Sequence, residues 1–95
     1  MSDIVNKAVE ELSAKIEGDF DGSAKFVIGD EGAVIIDSSG VRASDDDAEV
    51  TLTADVETFQ SILSGDLNPT AAYMSGQLSV EGDISVAMKL GAVLS

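Results

Sequence analysis

The chain has 95 residues with eighteen acidic side chains against five basic ones, a formal net charge of −13, and neither cysteine nor histidine. Its five cations, Lys7, Lys15, Lys25, Arg42 and Lys89, are scattered, so no basic stripe exists to release counterions from phosphate, and nucleic acid is not an expected partner. Thiolate metal sites, thiol redox chemistry and any histidine-based nucleophile relay are excluded with the residues they need.

Hydrophobic residues make up 44% of the chain, which favours a folded domain over an acidic disordered tail. The length fits one stand-alone domain over residues 1–95. The opening MSDIVNKAVEEL lacks the basic and apolar regions of a secretory signal. No apolar run approaches the roughly 18 residues of a membrane-spanning helix. The expectation is a soluble cytoplasmic protein, kept to transient membrane contact at most by repulsion from anionic lipid.

In chain order, Ile4, Val5, Ala8, Val9, Leu12 and Ile16 fall on one helical face, which predicts an amphipathic helix over Ser2–Ile16, capped by Ser2 and stopped by Gly18. From Gly22 the period changes: Ala24, Phe26 and Ile28 alternate with Lys25 and Val27, a strand closed by turn residues Gly29–Gly32. Ala33–Asp37 and Val41–Ala43 read as two further short strands of an antiparallel meander, followed by an acidic loop, Ser44–Asp47. Glu49–Thr53 alternates again. Asp55 then caps a helix whose apolar stripe is Val56, Phe59, Ile62 and Leu63, with Gly65 as its stop. Asn68-Pro69 opens a short helix, and Gly76 closes it. Gln77–Glu81 is a last strand with Leu78 and Val80 inward, Gly82 breaks it, and Asp83 caps the final helix.

That helix, Ile84–Leu94, has only Ser85 and Lys89 as clearly polar residues. A helix apolar on nearly every face is normally buried all round, and so short a chain has little protein with which to cover it. Either an apolar ligand or a partner subunit is expected to meet it. Gly91 inside this helix costs roughly 1 kcal/mol against alanine; close approach by a backbone or ligand explains it, and so does a fraying last turn.

Catalytic signals are weak. Most of the eleven Asp and seven Glu fall in turns or on polar helix faces, where a solvated role is the ordinary one. Asp45-Asp46-Asp47 and Asp19-Phe20-Asp21-Gly22 lack the spacing and distal Glu of a calcium loop. No phosphate-binding glycine motif is present. The chain does not read as an enzyme, and no cofactor is expected.

The run Leu63-Ser64-Gly65-Asp66-Leu67-Asn68-Pro69, then Ala72-Tyr73-Met74-Ser75-Gly76-Gln77-Leu78, then Val80-Glu81-Gly82-Asp83 leading into Ala87-Met88-Lys89-Leu90, resembles the sterol carrier protein 2 (nonspecific lipid-transfer) domain family. The strand Ala48–Ala54 before it looks similar. Upstream of Ala48 the resemblance is one of element order alone. It implies an α+β fold: a five-stranded, mostly antiparallel sheet covered by helices on one face, with an apolar tunnel between the layers. It also implies non-catalytic binding, and transfer, of fatty acids, fatty acyl groups, sterol-like molecules or phospholipids. The tunnel walls it implies are Phe26, Ile28, Val34, Ile36, Leu52, Leu78 and Val80 from the sheet. From the helical side they are Phe59, Ile62, Leu63, Leu67, Tyr73, Met74, Ile84, Ala87, Met88 and Gly91. The chain departs from the family in lacking a peroxisomal Ser-Lys-Leu-like ending and an aromatic in the second strand. Met88 stands where some members place a tunnel-facing glutamine, making that end apolar and deformable. The bland reading of each wall residue is core packing, and the rival function is a homo-oligomeric structural or regulatory module, monomer or homodimer being open, whose core is closed.

Overall fold

Alternation of Ala24, Phe26 and Ile28 with Lys25 and Val27 makes β1 (Ala24–Ile28) the middle strand of a five-stranded sheet ordered β3-β2-β1-β4-β5. The structure, a computed structural model, describes residues 3–16 and 20–94. The expected cap at Ser2, the stop at Gly18 and the acidic Asp19 lie outside the described residues. The remaining strands are β2 (Gly32–Asp37), β3 (Gly40–Ala43), β4 (Val50–Ala54) and β5 (Ser79–Gly82). Four helices accompany them among the described residues: α1 (Asp3–Lys15), α2 (Val56–Ser64), α3 (Pro69–Met74) and α4 (Ile84–Leu94). The class is α+β, and three of the four strand pairings are antiparallel.

The exception is β1 with β4, which run parallel with Phe26 opposite Leu52. Connector 44–49 returns from the far edge of the sheet to set β4 beside β1. On the way it meets Lys25, whose Nζ lies 2.7 Å from an Asp45 carboxylate oxygen and donates to the Asp45 carbonyl. Lys25 alternates with Phe26, so this contact is on the sheet face opposite Phe26. Ile35, the cross-strand partner of Lys25, is buried there although it stands outside the main core cluster.

On the Phe26 face one row of side chains crosses four strands in register: Val34, Phe26, Leu52 and Val80. The helices cover its two halves differently. α1 lies over β2 and β3 through buried Val5, Ala8 and Leu12. α2 docks by Phe59, whose ring meets Phe26 edge-on at 4.5 Å between centroids. α4 rests on β4, β1 and β5. The closed core is therefore centred on Phe26, Ile28, Val34, Ile36, Phe59 and Ile62, all essentially inaccessible.

Capping fixes where α2, α3 and α4 begin. Asp55 accepts from the Thr58 N–H at 2.7 Å, and that bond, with the Thr58 hydroxyl, holds its carboxyl below the ordinary range. Asn68 accepts from the N–H groups of Thr70 and Ala71, while Pro69 supplies the preset first residue of α3. Asp83 accepts from the Ser85 N–H at 2.9 Å at the start of α4. Asp37 is likewise lowered, first by its hydrogen bond from Arg42 and then by the Ser39 N–H.

Gly82 corrects one detail of the expected pattern. It is the last rung of β5, paired with Val50, rather than a break after the strand. Its φ is 108°, and a Cβ there would collide with the Glu49 carbonyl oxygen. Only glycine fits this close backbone approach. β5 also begins at Ser79, leaving Leu78 buried just ahead of the ladder.

Candidate functional site

The last helix divides its circumference among three environments. Val86 and Leu90 are buried and Val93 partly so, which makes them the core face. Ser85, Lys89 and Ala92 are exposed, and Lys89 reaches Asp21 at 3.1 Å. The third face is Ile84, Ala87, Met88 and Gly91, at the i, i+3, i+4, i+7 spacing of one helical stripe. It is apolar yet unburied: Ile84 is 50% and Met88 71% exposed.

That stripe faces α3 across a gap. α3 buries Ala72 and most of Pro69, and leaves Thr70, Tyr73 and Met74 towards the gap, with Tyr73 51% and Met74 80% exposed. The floor is the Leu52–Val80 cross-strand pair of β4 and β5, with Leu78 beside it. Together these surfaces enclose an apolar cavity of about 310 Å³, open to solvent past Tyr73, Met74 and Met88. That volume lies at the lower end of the range of small-molecule sites. Gly91 belongs to the wall because it has no side chain. A Cβ placed there would be 3.8 Å from the Pro69 Cβ, in ordinary contact, so anything larger would grow into the gap.

The lining holds no charged side chain, and its only polar side-chain groups are the hydroxyls of Thr70 and Tyr73. Acid–base or nucleophilic chemistry has no pair of groups to work with in this cavity. Among the described residues no three carboxylates converge as a metal site; Asp45 is engaged with Lys25.

Of the residues singled out from the sequence, Leu52, Tyr73, Met74, Leu78, Val80, Ile84, Ala87, Met88 and Gly91 come together around this cavity. Phe26, Ile28, Val34, Ile36 and Ile62 sit in the closed core beside it. Phe59 and Leu63 edge a different groove, about 290 Å³, between α1 and α2, which also contains Lys7 and Glu11. Leu67 packs against the core from the α2–α3 connection. Sequence reasoning missed Pro69 and Thr70. Their positions one turn before Tyr73 and Met74 were the available signal, since residues 69, 70, 73 and 74 share a helical face.

The whole arrangement has known counterparts. The SCP-2 sterol transfer family model matches residues 5–95. The solution structure of sterol carrier protein 2 from Aedes aegypti, complexed with the C16 fatty acid palmitate, superposes with a TM-score of 0.77 at 20% identity, covering 100% of this chain and 97% of that one. Stomatin-like protein 1 of Mus musculus is 60% identical over 36 residues, 38% of this chain and 9% of the relative. Hydroxysteroid dehydrogenase-like protein 2 of Danio rerio is 40% identical over 48 residues, 50% of this chain and 12% of the relative. The chain thus spans about a tenth of the length of these curated relatives. With the family model covering nearly its full length and the expected layers in place, this chain belongs to the SCP-2 sterol transfer family.

Proposed function

We propose that the chain binds an apolar lipid in the cavity between α3, α4 and the β4–β5 half of the sheet, and carries it without chemical change. The observation that supports this most strongly is the unburied apolar stripe of α4 facing a cavity with no charged lining. The driving force is burial, about 0.8 kcal/mol per methylene. Seating about eight methylenes yields roughly 6 kcal/mol, a Kd in the tens of micromolar before ordering costs. Longer chains need more room than 310 Å³. Displacement of α4 or of the Asn68–Gly76 segment would extend the cavity towards Phe59 and Ile62 and open the tunnel that the family resemblance implies. No helix among the described residues is long and apolar enough to cross a membrane. Family membership and a palmitate-bound structural counterpart support the same reading. The dehydrogenase-like relative is matched over so small a share of its length that no activity is carried over from it.

The test is native mass spectrometry of the purified chain with organic extraction, run beside Gly91→Leu. The reading predicts a releasable lipid mass of a few hundred daltons on the wild type and its loss from a folded Gly91→Leu protein. An equal lipid load on that folded variant would place binding elsewhere. A second reading rests on the exposed rim of Met74 and Met88, which a second copy would bury. A lipid-free dimer at micromolar concentration in sedimentation would favour it.

A further inference from the structure

We infer that the cavity selects amphiphiles whose polar end is uncharged, such as alcohols, esters and sterol-like hydroxyls, over carboxylates and phosphate conjugates. This rests on the lipid-binding reading above and names the ligand class for that same site.

All five side-chain cations of the chain lie elsewhere. Lys7 is in the groove between α1 and α2 with Glu11, and Lys15 ends α1. Lys25 pairs with Asp45 on the opposite sheet face, and Arg42 pairs with Asp37 at 2.9 Å on the outer strands. Lys89 is on α4 itself, yet it points to Asp21, off the cavity stripe. None of β4, β5, α3 or α4 presents a charged side chain to the cavity.

Helix starts can also hold anions, but those beside the cavity already carry side-chain caps: Asn68 accepts from the Thr70 and Ala71 N–H groups of α3, and the Asp83 carboxylate accepts from the Ser85 N–H of α4. An ionised carboxylate drawn inside the cavity gives up water and receives no cation in return. A ligand hydroxyl is served instead by the Thr70 and Tyr73 hydroxyls, each of which donates and accepts. The net charge of −13 adds a repulsion that acts on anions alone.

A fatty acid therefore enters as its neutral acid, and its apparent affinity falls as pH rises above the ordinary carboxylate range near 4–5. Calorimetric titrations with dodecanol and dodecanoate at about pH 5.5 and about pH 8 test this on the full chain. The inference expects dodecanol to bind at least about tenfold tighter at the higher pH. It expects dodecanoate to weaken about tenfold or more between the two conditions while dodecanol stays constant, and Thr70→Lys to narrow the ratio about tenfold. Dodecanoate binding as tightly as dodecanol, with no pH dependence, would overturn the inference even if Thr70→Lys failed to fold. Binding of neither ligand would overturn the lipid-binding reading instead, so the two failures are distinguishable.

Discussion

Met88 and Phe59 are both large apolar side chains one sequence glance would treat alike, yet one is 71% exposed and the other 1%. A buried ring such as Phe59 stabilises the fold by contacts that truncation would cost about 3–5 kcal/mol. Met88 gains little from the fold as it stands, and its exposed apolar surface is what the proposed lipid would cover. Polar residues show the same division of labour. Asp55 has no part in the cavity but starts the helix that locks onto Phe26. Its folded pKa is lowered, mainly by the Thr58 N–H, so its contribution is fully present above the unfolded value of about 3.9 and is lost as pH falls through the folded value below it. Asp55→Ala is expected to lower the urea midpoint near pH 7, and the gap from wild type is expected to close below about pH 4. A gap that persists or widens in acid would show that the cap works by something other than its charge.

At the scale of elements, the sheet is one continuous floor under two unequal roofs. α1 and α2 close over β1, β2 and β3, while α3 and α4 leave the Leu52–Val80 end open. That opening depends on β5 keeping its register, which Gly82 permits because a Cβ there would collide with the Glu49 carbonyl oxygen. Gly82→Ala is expected to cost roughly 1–3 kcal/mol in denaturant unfolding, and no loss would mean the β4–β5 edge is slack. The element order and the inward faces were legible in the sequence because the periods of two and 3.6 are direct imprints of burial. The parallel pairing of β1 with β4 was not, since alternation says which face a side chain takes and nothing about the neighbouring strand. Core and cavity were also not separable for Phe26, Ile36 or Ile62, because a ligand wall and a packed interior require the same apolar side chains. The nearly all-apolar α4 was the one local sign, and the three-way division of its circumference accounts for it.

At the scale of the molecule, the acidic charge sets the terms on which the fold persists and meets partners. Three surface ion pairs involve Lys25, Arg42 and Lys89, each weak because an exposed carboxylate stays hydrated, and weakened further by salt. Against them stands the self-repulsion of a net −13 on 95 residues, which salt relieves as the screening length falls from about 10 Å at 0.1 M to about 3 Å at 1 M. The repulsion wins, so the thermal midpoint is expected to rise by several degrees over that range. A falling midpoint would mean that the ion pairs dominate. The central claim, that the α3–α4 cavity is where lipid binds, is tested most directly by methionine-methyl NMR, because Met74 and Met88 both line it. Titration of the labelled chain with dodecanol is predicted to shift both resonances along one saturable 1:1 curve. Both resonances holding still while dodecanol binds, or no binding at all, would contradict it.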